Sequence, residues 1–336
     1  MPIEVVTLGE CLASFVAAEP GPLASAVGYA RFCAGAESNV AIGLARLGHG
    51  AAYVGRVGRD GLGLAIERQL RGEGVDVRGL LVDPEAPTAL MIRERRPVGP
   101  SEILYYRRGS AGSRLAADDV RLASEARVLD GARWLHVTGI TPALSAGARA
   151  AVTVAVLAAR EAGLSVSLDV NLRRKLWSVA EAGPVLQDLA RGADLVFGSP
   201  DELALLAGGP SGGTTDPLHL AALADAVLGL GPSRVVVKLG ADGACERRRS
   251  PGDAVPGDAR HGGFPLARPA DPVGAGDAFV AGYLAAMLEG LEGSAALALG
   301  NACGAAVAAT VGDVTGAPTR AEADAIIAAG SADVLR

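Results

Sequence analysis

In the stretch Asp271-Pro-Val-Gly274-Ala275-Gly276-Asp277-Ala-Phe279 a carboxylate directly follows two glycines, a pairing suited to moving a proton beside a transferring anion. Gly274 and Gly276 let the backbone turn tightly and approach a ligand with no Cβ in the way. Behind them Phe279, Val280, Tyr283, Leu284, Met287 and Leu288 have the spacing of an amphipathic helix. A glycine turn feeding a helix start presents unpaired N–H groups and the positive end of the helix dipole, a place for phosphate. Asp277 would repel a resting phosphate there. Its useful role is that of a base, taking a proton from a hydroxyl while neighbouring N–H groups stabilise charge on a transferring phosphoryl group. A plain helix cap accounts for the same residues. Two better-known phosphate loops are excluded. Gly274-Ala-Gly276-Asp-Ala-Phe279 has Phe where the dinucleotide fingerprint needs its third glycine, and GxxxxGK[ST] does not occur in the chain.

Other stretches carry charge in places that matter. Tyr105-Tyr106-Arg107-Arg108 concentrates two aromatics and two guanidiniums in an aromatic-poor chain. On an extended strand Tyr105 and Arg107 point to one face, and a guanidinium fork suits a carboxylate. An exposed edge strand guarded by arginine explains the same residues. Asp169-Val-Asn171-Leu-Arg173 follows the apolar run Ser165 to Val170, and ligands of open α/β sheets bind beyond the carboxyl ends of strands. Arg173, like Arg107, suits either a carboxylate or a phosphate. Ser199-Pro-Asp201-Glu202 opens a helix, and a capping box explains Ser199 and Glu202 as well as a ligand does.

The elements that must hold these residues alternate. Strands are expected over Glu4 to Gly9, Ala52 to Val57, Trp134 to Val137, Ser165 to Val170, Asp194 to Gly198 and Arg234 to Lys238. Helices are expected over Val40 to Leu47, Gly61 to Glu73, Ser145 to Ala162 and Ala180 to Ala190. That rhythm is the βαβ pattern of a mostly parallel sheet. Thr88 to Arg93 and Ile103 to Arg107 interrupt it as two strands joined by a loop containing Pro97, Gly99 and Pro100. Ala207 to Pro217 reads as a surface loop, and Arg247 to Gly263 as a polar hairpin or loop.

The chain has 336 residues, enough to bury a large core, and half of them are hydrophobic with few aromatics, so the core is Ala, Val and Leu. A net charge of -6 argues against general nucleic-acid binding. Cys11, Cys33, Cys245 and Cys303 are scattered, with neither a CxxC pair nor a histidine at metal-ligand spacing, and read as buried thiols of a reducing compartment. The start lacks a basic signal region, and the Ala/Gly-rich run Ala295 to Val311 is too weakly apolar to span a bilayer. A cytoplasmic protein is expected.

Asp-x-x-Gly-Ala-Gly-Asp before an apolar helix resembles the C-terminal signature of the PfkB/ribokinase family of sugar kinases. Ala34 to Asn39 is similar to the family's Gly-Gly-x-x-x-Asn element, with Ala34 in place of the first glycine. Gly58-Arg-Asp60-Gly-Leu-Gly63, Ser199-Pro-Asp-Glu202 (Ser199 replacing Asn) and Lys238-Leu-Gly240-Ala-Asp-Gly243 extend the resemblance along the chain. It implies a ribokinase-like α/β fold, a mostly parallel central sheet with helices on both faces, formed by residues 1–14, 34–87 and 109–336. Residues 15–33 and 88–108 are then a small β-lid over the sugar, which excludes water as a competing acceptor. It also implies Asp277 as catalytic base, with the Gly274, Ala275 and Gly276 backbone as anion hole.

Within the family, Ala36-Glu-Ser-Asn, Tyr105-Tyr-Arg-Arg-Gly-Ser-Ala-Gly, Thr138-Gly-Ile-Thr-Pro, Leu168-Asp-Val-Asn-Leu-Arg and Gly312-Asp313-x-x-Gly-Ala-Pro are most similar to the branch that phosphorylates 2-keto-3-deoxygluconate. On that resemblance Gly35, Ala36, Asn39, Tyr105, Arg107 and Asp313 meet the sugar acid. Met91 stands where that branch often places a lid tyrosine. Asn171 and Arg173 lie between sugar and phosphates, while Ser199, Lys238, Gly240, Gly243, Gly274, Gly276 and Asn301 border ATP. Glu202 organises Mg2+ indirectly, and Asp271 serves a monovalent cation such as K+. The implied partners are a small sugar or sugar acid and ATP, with self-association through the lid and neither nucleic acid nor membrane. A kinase of a neutral sugar or nucleoside, or a sugar-binding regulator without catalysis, are the alternatives. A Rossmann dehydrogenase is disfavoured, because no GxGxxG follows the first strand.

Overall fold

The structure, a computed structural model, describes residues 1–96, 101–209, 215–249, 257–266 and 270–333. Pro97, Gly99 and Pro100 of the expected hairpin loop lie outside the described residues, as do parts of the expected loops at 207–217 and 247–263. Runs rich in Val, Ile and Leu form strands, and Ala/Leu-rich periodic runs form helices. In chain order they are β1 (Val5–Leu8), β2 (Leu12–Ala17), β3 (Tyr29–Ala34), α1 (Ala36–Arg46), β4 (Ala51–Gly58), α2 (Gly61–Gly72) and β5 (Asp76–Asp83). There follow β6 (Leu90–Arg93), β7 (Ile103–Tyr106), α3 (Ala117–Glu125), β8 (Trp134–Thr138), α4 (Ala146–Glu161), β9 (Ser165–Asp169) and α5 (Val179–Arg191). Then come β10 (Leu195–Gly198), α6 (Pro200–Ala207), α7 (Pro217–Leu228), β11 (Arg234–Lys238), β12 (Ala244–Arg248) and β13 (Gly257–His261). The last elements are α8 (Ala275–Leu288), α9 (Ser294–Ala308) and α10 (Arg320–Asp333).

Nine strands form one sheet in the order β13-β12-β11-β10-β9-β8-β1-β4-β5. From β5 to β11 neighbours run parallel, and β12 and β13 add antiparallel at one edge. All four residues of β1 and of β10 are buried, as expected of strands covered on both faces. One face packs Leu135, Val152, Leu168 and Leu186 into a core, and the other packs Ile42, Tyr53, Phe197 and Leu297. This is the ribokinase-like fold, with a mostly parallel sheet and helices on both sides.

Helix α8 differs from the amphipathic helix expected from its spacing. Every residue from Ala278 to Ala286 is buried, because α8 lies between α1, α9 and the sheet. Small residues allow it: a Cβ on Gly43 of α1 would stand 2.6 Å from that of Ala281, and one on Gly282 would stand 2.7 Å from the Leu299 carbonyl oxygen. Phe197 meets Phe279 and Tyr283 edge-on, at centroid separations of 6.4 and 5.3 Å. The start of α8 is thereby set rigidly against the sheet.

A second sheet of four strands has the order β3-β2-β6-β7. Its inner face buries Leu12, Ala34, Ala89 and Met91, while Leu104, Tyr105 and Tyr106 of β7 are exposed. It stands over the carboxyl ends of the parallel strands. Among the described residues no helix is long and apolar enough to cross a membrane.

Candidate active site

Between the small sheet and the strand ends lies a cavity of about 380 Å³. Asp277 enters it from the first turn of α8. Gly274 makes that entry possible. Its φ of 85° is left-handed, and a Cβ there would stand 2.0 Å from the Asp313 carbonyl oxygen. Among the described residues no side chain caps α8; the Ala275 N–H donates to the Pro272 carbonyl at 3.3 Å, which leaves the N–H groups of Gly276 and Asp277 available to an anion. Asp277 does not cap the helix. Its Oδ2 accepts a hydrogen bond of 2.7 Å from Nδ2 of Asn39, on the first turn of α1. Burial raises the Asp277 pKa, against the lowering effect of Asn39, and the nearby Asp169 charge raises it further. A carboxylate so placed is a stronger base than one in water.

Lys238, the last residue of β11, donates to both carboxylate oxygens of Asp169 at 2.8 and 2.7 Å. Burial alone would lower the Lys238 pKa, but the charges of Asp169, Glu202 and Asp277 raise it above its usual value. Lys238 therefore stays charged. It also lines a second cavity, of about 490 Å³, with Gly240, Gly243, Ala275, Phe279 and Asn301. Lys238, Pro272 and Gly276 belong to both cavities, so the turn before α8 is the wall between them. Asn301, on α9, donates to the carbonyl oxygens of His261 and Gly262, both at 3.2 Å, which ties that side of the second cavity to the end of β13.

The residues expected around the sugar converge on the first cavity. Gly35, Ala36, Asn39, Met91, Tyr105 and Arg107 line it, together with Asn171, Arg173 and Asp313. Among the described residues two buried polar atoms here have no protein partner, Asn39 Oδ1 and Arg107 Nε, one acceptor and one donor. Arg107 stacks over the Tyr105 ring at 5.3 Å, and its Nη2 pairs with the buried Glu10 carboxylate. Ser199 lines neither cavity. It is the N-cap of α6, forming a capping box with Glu202. Glu202 reaches the first cavity, yet its oxygens accept from the backbone N–H groups of Ser199 and Leu172, each at 2.8 Å. It thereby braces Asn171, whose φ of 36° is left-handed. Such a carboxylate fits Mg2+ through water rather than by direct ligation.

Three residues that the sequence reading did not single out as ligands complete the site: Glu10, Glu37 and Arg93. Glu10 stands two residues past the end of β1, in the region beyond a strand end where ligands of such sheets bind, and that signal was readable. Arg93, on β6, ion-pairs with Asp271 and Asp313. Burial pushes the Asp313 carboxyl up to about 7, against the opposing pull of Arg93. Glu37 is wholly buried in the cavity wall, where Gly9 leaves it room, and it accepts from the hydroxyls of Thr138 at 2.8 Å and Thr141 at 2.7 Å. Burial pushes its pKa from 4.5 to about 7.

That shift carries a stability prediction. Between about 4.5 and about 7 the folded chain keeps a proton on Glu37 that the unfolded chain releases, so stability falls as pH rises through that window. Glu37→Gln keeps an oxygen acceptor for both threonines and cannot ionise. The variant should match the wild type at about pH 5 and exceed it by on the order of 2–3 kcal/mol at about pH 8 in urea unfolding. Asp313 and Asp277 titrate in both proteins and cancel in the difference. A pH-independent gap would remove Glu37 as the buried titrating group.

The chain is similar to known proteins along nearly its whole length. The model of the pfkB family of carbohydrate kinases matches residues 2–320. A 2-dehydro-3-deoxygluconokinase of Bacillus subtilis (strain 168) is 37% identical over 324 residues, covering 95% of this chain and 94% of the relative. A PfkB protein from Polaromonas sp. JS666 superposes with a TM-score of 0.81 at 37% identity, over 96% of this chain and 100% of that one. A fructokinase double mutant from Vibrio cholerae O395, solved with fructose, ADP and a potassium ion, gives a TM-score of 0.78 at 27% identity, over 97% and 98% of the two chains.

Proposed function

The chain belongs to the pfkB family of carbohydrate kinases, and on that premise we propose that it phosphorylates 2-keto-3-deoxygluconate to its 6-phosphate with ATP. The observation that carries the reading is the Asp277 carboxylate, held by Asn39, at the junction of two cavities that share a glycine turn. The sugar occupies the first cavity with its acceptor hydroxyl on Asp277, and the nucleotide occupies the second. Asp277 takes the hydroxyl proton as the oxygen attacks the γ-phosphorus and the bond to ADP breaks. The first-turn N–H groups of α8 and the Lys238 ammonium stabilise the charge that develops on the phosphoryl oxygens. Mg2+ arriving with ATP supplies charge neutralisation, and Glu202 can meet it through water.

The acid end of the substrate accounts for the unpartnered Arg107 Nε, an N–H donor directed by stacking on Tyr105 and by the pair with Glu10. Asn39 Oδ1 is left to accept from a sugar hydroxyl. The relative of 37% identity acts on the same substrate by its name. A neutral-sugar reading rests on the fructokinase neighbour at 27% identity. An ATP-coupled assay over ketodeoxy acids, aldonic acids, fructose and ribose separates the two. Equal kcat/KM for fructose or ribose would end the sugar-acid reading.

Arg107→Lys sharpens the test, because it keeps a cation for buried Glu10 and removes the Nε donor. It should cost about 1.5–3 kcal/mol in kcat/KM for the sugar acid, leaving the KM for ATP unchanged. A loss confined to the KM of ATP would move Arg107 to the phosphates.

A further inference from the structure

The turn that carries the anion hole is anchored by a buried ion cluster spanning three segments. Arg93 of β6, 4% exposed, donates from Nη1 to Asp271 Oδ1 at 2.9 Å and approaches Asp271 Oδ2 with Nη2 at 2.7 Å. The same Nη2 donates to Asp313 Oδ1 at 3.1 Å. Asp271 is also engaged by backbone, accepting from Val273 N at 3.1 Å and Gly312 N at 3.4 Å. Asp313 in turn presses its carbonyl against Gly274, where a Cβ would fall. One guanidinium thus joins the small sheet, the turn 271–274 and the loop 312–313.

A monovalent cation at Asp271, the role its place in the motif suggests, does not fit this arrangement. Both Asp271 oxygens face a guanidinium that brings one full positive charge, and a second cation beside it would be repelled. Among the described residues the buried Nε of Arg93 has no partner, while both terminal nitrogens are engaged by the two carboxylates. We infer that Arg93 is a fixed, internal counter-cation for the Asp271/Asp313 pair and a positioning residue for the anion-hole turn, so that this kinase works without a bound K+. On this inference the chain differs from the fructokinase neighbour, which was solved with a potassium ion bound. The inference rests on the sugar-kinase reading of the site but on no particular sugar.

The test uses purified full-length enzyme in K+ and in tetramethylammonium at equal ionic strength. Wild-type kcat should agree between the two within about twofold, with any sugar accepted. Arg93→Met should lower kcat by about tenfold or more, with a smaller change in the sugar KM, and K+ should restore part of the loss. Arg93→Lys, which keeps the charge, should recover most of the rate without K+. Apart from activity, the wild-type thermal midpoint should not rise specifically in K+, since a bound ion would stabilise the folded state. A wild type stimulated tenfold by K+, or stabilised by K+ over tetramethylammonium, would overturn the inference whether or not Arg93→Met folds. An Arg93→Met enzyme with unchanged kcat would overturn it too. If no sugar is phosphorylated, the functional reading fails while the thermal comparison still decides the cation site.

Discussion

Asp277→Asn should lower kcat by roughly 10²–10⁴-fold while the KM for ATP changes little. The substitution is nearly isosteric, and an amide oxygen can still accept the hydrogen bond that Asn39 Nδ2 gives to Asp277. What disappears is the ability to take a proton. Because burial raises the Asp277 pKa, the folded protein holds that charge at a cost, and a neutral side chain should leave stability unchanged or improved. Catalysis and stability therefore move apart in this variant. A normal kcat, or a clear fall in the unfolding midpoint with activity retained, would make Asp277 a structural residue of the first turn.

Gly274→Ala should lower kcat by about 10²–10³-fold, the loss typical of removing a donor from an anion hole. Two effects coincide at this position. A left-handed φ costs a non-glycine residue about 1–2 kcal/mol. The added methyl would also fall 2.0 Å from the Asp313 carbonyl oxygen, so the turn must move and its N–H groups lose their aim. Gly290, just after α8, separates the two effects. Its φ of 78° is similarly left-handed, yet a Cβ there meets nothing within 4 Å. Gly290→Ala should show the strain alone, with a lower melting temperature and kcat within about twofold of wild type. Equal losses of activity in the two variants would mean that backbone strain, and not the direction of the turn, disables the enzyme.

Much of this architecture is legible in the sequence, for a physical reason. A parallel strand covered on both faces must be a short apolar run, and β1, β10 and β11 are such runs. The turn before α8 is legible because two glycines one residue apart and an aspartate bring their chemistry within a few positions. The all-round burial of α8 is not, because its neighbours are supplied by α1 and α9 and its Ala and Gly residues blur any periodicity. Ion pairs hide for a related reason. Arg107 finds Glu10 97 positions away, and Arg93 finds Asp271 and Asp313 178 and 220 positions away. No local pattern of charge announces such partners, so Arg107 reads as a free fork and Asp271 as a free carboxylate. Ser199 shows the converse: a capping box is visible in four residues, and the local explanation accounts for its contacts.

The bare start of α8 sets a limit on how this protein can be made more heat-resistant. Helices α4, α5, α6 and α7 begin with Ser145, Ser178, Ser199 and Asp216, each accepting an N–H of its own first turn. A stabilisation library would treat the uncapped Gly274 as an omission and offer it serine, aspartate or asparagine, worth about 1 kcal/mol at an ordinary helix. Here the new oxygen would occupy the N–H groups that the proposed mechanism leaves to a phosphoryl oxygen, and the new Cβ would strike the Asp313 carbonyl. Selection under heat has to find its gains at other helix ends and in loops, and this one remains unsealed for as long as the enzyme is also selected for turnover.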